Sequence, residues 1–155
     1  MKKLALIILV MALVAGVAAV SYAEITKREA VIKELDGTAN VKTADGTWIP
    51  AEVGMKLTEG SILKTDAGAM VVLYLEGVSE TADVEVKEKS ELRIEELYED
   101  KATSEQTTLL DLALGEILIT SQKLRSEKSQ FEVKTPTSIV GVRGTTFSVI
   151  VEREE

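Results

Sequence analysis

From Glu29 onward, short apolar runs alternate with turn residues, and within most runs every second residue is polar. Val84 and Val86 alternate with Asp83, Glu85 and Lys87. Leu92 and Ile94 alternate with Glu91, Arg93 and Glu95, and Phe131 and Val133 with Gln130, Glu132 and Lys134. A period of two predicts strands with one wet face and one buried face. Ala69-Met70-Val71-Val72-Leu73-Tyr74-Leu75 is apolar at every position and predicts an interior strand. Phe147, Val149 and Val151 form a last inward row, and Met55, Met70 and Tyr74 read as core residues. Asp36-Gly37, Asp45-Gly46, Glu59-Gly60, Ala67-Gly68 and Glu76-Gly77 supply the turns between the early runs.

One stretch is ambiguous. Leu110, Ala113, Leu114, Ile117 and Leu118 recur at helical spacing, while Leu110, Leu112 and Leu114 alternate. Gly115 weakens a helix there, so the reading leans to strand. Asp100 to Thr107 allows a short helix capped by Ser104. The two prolines, Pro50 and Pro136, fall outside the expected central strands. L-x-x-G-x-I-L-x-T occurs twice, from Leu57 and from Leu112, which hints at similarly shaped β units. The fold class is therefore all-β, a compact roll or a solenoid-like stack of short strands, with a β-sandwich as the alternative.

The first 23 residues differ. Lys2 and Lys3 precede an uncharged apolar run from Leu4 to Val20, and Ser21-Tyr22-Ala23 follows. That is the charged start, apolar middle and small-residue end of a secretory signal, with cleavage expected after Ala23. An uncleaved membrane anchor is the competing reading, because residues 4–23 approach the roughly 20 residues that span a bilayer. Either reading places the remaining domain, 24–155, outside the cytoplasm, in the periplasm or at the cell surface.

Composition narrows the chemistry. The chain has no Cys and no His. It has no disulfide framework, no thiol nucleophile and no imidazole base or metal ligand. The formal net charge is −8, and no Asp or Glu precedes residue 24. An acidic domain repels a phosphate backbone, which argues against nucleic acid as partner. No nucleophile elbow, phosphate-cradling loop or metal-ligand set occurs, so no catalytic, cofactor or metal residue is assigned and no cofactor is expected.

Two segments resemble the FecR domain family. The first holds Trp48, Pro50-Ala51, Gly54, Leu57, Gly60, Ile62, Thr65, Ala69, Leu73, Leu75 and Gly77. The second holds Phe131, Val133, Thr135-Pro136, then Val140-Gly141-Val142-Arg143-Gly144-Thr145 and Phe147. The resemblance covers roughly Val41 to Val151. It implies an extracytoplasmic all-β module, which in the regulators that name the family relays a signal from an outer-membrane transporter to a sigma factor. Only Met1, Lys2 and Lys3 precede the apolar run here, so the resemblance carries over the exported domain and not the sigma-factor segment.

Candidate residues follow. Gly141, Arg143, Gly144 and Thr145 form the sharpest local motif. Arg143 reads either as a partner-binding guanidinium or, preferably, as an internal clasp between flexible glycines. Trp48, the one tryptophan, reads as a core cap beside Pro50 or as a binding residue. The acidic run Glu95 to Asp100 reads as a solvated strand end or loop. The stretch from Ser121 to Ser129, with Lys123, Arg125 and Lys128, reads as a charged hairpin end. The expected function is a non-enzymatic module acting through protein contacts in the cell envelope. The alternative is a module that binds cell-wall glycan.

Overall fold

The computed structural model describes residues 24–76, 82–121, 128–144 and 146–152. The apolar leader, Gly77, the Lys123 and Arg125 stretch and Thr145 lie outside the described residues. The described chain is all-β, with strands β1 (Ile25–Lys27), β2 (Ala30–Asp36), β3 (Ala39–Lys42), β4 (Trp48–Pro50), β5 (Lys56–Leu57), β6 (Ile62–Thr65) and β7 (Met70–Leu75). β8 (Ala82–Val86), β9 (Glu91–Asp100), β10 (Glu105–Ser121), β11 (Gln130–Lys134), β12 (Ile139–Gly141) and β13 (Thr146–Val151) complete it. The main path of paired strands runs β4-β3-β6-β9-β10-β8-β7-β2-β5. β1 adds to β9, β11 and β13 add to β10, and β12 adds to β11. Pairing is antiparallel except between β10 and β11. The result is a curled sheet, the roll, and not two separate sheets of a sandwich.

β10 organises the curl. Its first part pairs with β9 and β11, and its last part, from Gly115, pairs with β8 and β13. A straight strand of 17 residues would far exceed the usual length of about five or six. Gly115 breaks it into two. Its φ is +95°, and a Cβ there would sit 2.1 Å from Ser90 Oγ and 2.5 Å from Ser90 Cα. Only glycine fits a backbone contact that close. The corner is sealed by buried hydroxyls. Glu116 N–H donates to Ser90 Oγ at 3.0 Å, and Ser90 N–H donates to Thr65 Oγ1 at 2.9 Å. Thr65 Oγ1 in turn donates to the Lys87 carbonyl at 2.6 Å.

The corner also resolves the ambiguous period. Leu110 and Leu112 point inward before it, and Ile117 and Ile119 after it. The inward row changes parity across Gly115, which imitates helical spacing. The expected helix over Asp100 to Thr107 does not form. Residues 101–104 turn, Ser104 takes φ 56°, and β10 begins at Glu105. β7 is interior as expected, between β8 and β2, but only Val71, Leu73 and Leu75 are fully buried. Met70 and Tyr74, on its other face, are half-buried. Pro50 lies on the outermost strand β4, where a missing N–H breaks no ladder.

Candidate functional site

Trp48 opens the edge strand β4, directly opposite Lys42 on β3. A tight hairpin holds it there. Asp45 accepts the Thr47 N–H at 3.0 Å and the Thr43 hydroxyl, and Gly46 turns with φ 93°. Those bonds, the Thr43 side chain first and the Thr47 backbone next, hold the Asp45 carboxyl below its ordinary value of 3.8. The indole is 48% exposed, and the Lys42 ammonium lies 6.0 Å from its ring centre. This is the outer limit of a cation–π contact. The indole does not cap the core; it stands at the sheet's edge, about half exposed.

Among the described residues of the closing motif, Arg143 is not placed as an internal clasp. Gly141 ends β12 and is exposed, and Gly144 turns with φ 58°. Val142 is the buried anchor, its N–H donating to the Phe131 carbonyl at 2.8 Å. Arg143 is exposed and makes no ion pair among the described residues. It borders a shallow hollow of about 270 Å³ lined also by Ser129, Phe131 and Glu132.

The buried arginine is Arg28, 8% exposed. Its Nε donates to the Glu76 carbonyl at 2.9 Å, and its guanidinium donates to Thr108 Oγ1 at 3.0 Å. Nearby in the same end of the core, the Gln106 amide donates to buried Glu99 at 3.3 Å. Arg28 and Glu99 both line a cleft of about 440 Å³ together with Lys27, Glu29, Lys56 and Glu76. Within it Lys56 pairs with Glu29 at 2.7 Å. Sequence reasoning missed this network. The signal was parity, since Arg28 shares the inward row of Ala30 and Ile32.

The acidic run is a strand and not a loop. β9 bulges where Leu109 pairs with Glu96 and Leu110 with Ile94, so Glu95 is the extra residue. The bulge flips the row, turning Leu97 and Glu99 inward. Glu95 instead meets Lys134 at 3.0 Å, with Asp111 at 3.8 Å from the same ammonium. The Glu95 bond and charge, with Asp111 behind, raise the Lys134 pKa above 10.5. Among the described residues no three acidic side chains converge as a metal site.

A groove of about 930 Å³ runs between the Thr135–Ser138 turn with Val140 and the strand from Ser148 to Glu152. Val140 and Ile150 are exposed along it. Compared with known families, residues 61–155 match the model described as FecR protein. The match takes in the closing motif and begins after Trp48 and Pro50. Neither the curated proteins nor the solved structures gave a match.

Proposed function

The chain belongs to the FecR family, a regulatory, signalling-related one, and from that premise we propose a non-enzymatic module that acts through protein contacts in the cell envelope. The observation that carries the reading is Trp48. It is an exposed indole on an unprotected face of an outermost strand, fixed by a hydrogen-bonded hairpin. Tryptophan is enriched, with tyrosine and arginine, among the side chains that anchor a partner. An edge strand also offers backbone groups for pairing with a partner segment. The charged leader, apolar run and Ser21-Tyr22-Ala23 end support an extracytoplasmic location.

Trp48 also supports a second reading, stacking on a sugar ring of cell-wall glycan. Pull-down of wild-type and Trp48→Ala protein from native envelopes, quantified by mass spectrometry, separates the two. The protein-contact reading expects a discrete partner depleted in the variant. Saturable Trp48 fluorescence changes on adding cell-wall oligosaccharides, with equal protein recovery from both baits, would replace it with the glycan reading.

A further inference from the structure

One row of cross-strand neighbours runs over the outer face of the sheet from β4 to β11. Trp48 on β4 stands opposite Lys42 on β3, Lys42 opposite Ile62 on β6, and Ile62 opposite Arg93 on β9. Arg93 in turn stands opposite Asp111 on β10, and Asp111 opposite Lys134 on β11. Directly opposed residues share a face of the sheet. Val41, Leu63, Leu92 and Leu110, one residue away on the same strands, fill the core, so the row faces outward. Trp48 and Arg93 are exposed in it, and Lys42 is half-buried. The protein carries a net charge of −8, yet two cations of this row are left uncompensated. Lys64 holds Glu91 at 3.4 Å, and Lys134 holds Glu95 at 3.0 Å and Asp111 at 3.8 Å. Lys42 and Arg93 make no ion pair among the described residues. Glu59, Glu95 and Glu96 stand around the hollow beside Arg93. They lie off the row, and so steer an anionic segment along it.

Resting on the protein-contact reading of Trp48, we infer that this row receives an acidic segment of the partner in the polyproline II conformation. Lys42 and Arg93 lie two strands apart, about 9.5 Å at the usual spacing between strands. A polyproline II segment has three residues per turn and rises about 3.1 Å per residue, so carboxylates three residues apart share one face at about 9.3 Å. One carboxylate meets Lys42 and the next meets Arg93, each in a charge-assisted hydrogen bond. A β-strand would put residues three apart on opposite faces and satisfy one cation alone. Beyond Lys42 the same segment reaches Trp48. Proline-rich segments dock on aromatic side chains, and their preformed helix keeps the ordering cost of binding low.

The test titrates the full chain into a fluorescent peptide of repeating Glu-Pro-Pro and reads anisotropy, with Gln-Pro-Pro and Glu-Gly-Gly repeats beside it. Saturable binding of the first peptide is expected, clearly tighter than of either control. Lys42→Gln with Arg93→Gln removes two exposed ion pairs and is expected to weaken binding by about tenfold. Lys42→Arg with Arg93→Lys keeps both charges and is expected to bind nearly as the native chain does. Unchanged circular dichroism keeps misfolding out of the comparison. A Glu-Pro-Pro peptide that does not bind overturns the proposal. So does one that binds no better than the controls, or that is indifferent to the paired Gln substitutions. If Trp48→Ala still depletes a discrete envelope protein in that case, the protein-contact reading stands with a partner of other chemistry. If it does not, both fall. Cell-wall oligosaccharide bound in place of the peptide overturns both in favour of glycan.

Discussion

At the residue scale, the buried arginine is Arg28 and not Arg143. Arg143 sits between glycines and apolar neighbours and reads as a clasp, yet it is exposed, and Val142 is buried in its place. Arg28 sits in a charged Lys27-Arg28-Glu29 run and drew no expectation, yet it bonds Glu76 and Thr108 inside the core. Local composition misleads because burial follows strand parity, and parity is set by Ala30 and Ile32 next door. Arg28→Ala removes two charge-assisted hydrogen bonds and strands their acceptors, a loss of about 2–3 kcal/mol. Arg143→Ala, at an exposed site, stays within about 0.5 kcal/mol. Urea unfolding of dilute protein checks both, and equal losses would contradict the assignment.

Asp45 gives a pH signature at the same scale. Its folded pKa lies below 3.8, so its hydrogen bonds stabilise the hairpin above that value. They are lost as pH falls from about 3.8 through the depressed folded value. Trp48 emission is expected to shift over that acid window, and Asp45→Ala is expected to abolish the step. A shift that persists in the variant would place its origin elsewhere. Lys134 runs the opposite way. Its raised pKa means that its bond to Glu95 is intact below 10.5 and is lost only as pH climbs through the folded value.

At the element scale, the alternating runs translate directly into strands. The failures cluster where an extra residue enters the ladder. Glu95-Glu96 between Ile94 and Leu97 is legible as a bulge only once β10 supplies the partner register. The same holds for Leu112 to Ile117, where Gly115 turns one apolar row into another. The Ser104 turn replaces the expected helix because a positive φ there returns the chain along β9. Gly115→Ala combines an unfavourable φ with a methyl inside the Ser90 contact, and about 3 kcal/mol of destabilisation is expected. Thermal unfolding reads this as a markedly lower Tm. A variant with unchanged Tm would mean that β10 does not turn its corner on Ser90.

At the scale of the whole molecule, all-β character and an exterior of charge were legible, but the path of the sheet was not. β9 pairs with β6, β1 and β10, and such long-range pairings leave no trace in local periodicity. The same path carries β4 to the outside and with it Trp48, which neighbouring Pro50 and Ile49 make look like a core residue. The functional account depends on that placement. The most direct measurement replaces Trp48 with a photo-reactive aromatic residue and irradiates native cells, beside an exposed control at Glu52. The account predicts a single dominant protein adduct from position 48 that the control does not give. Identical adducts from both positions, or adducts to cell-wall glycan alone, would contradict it.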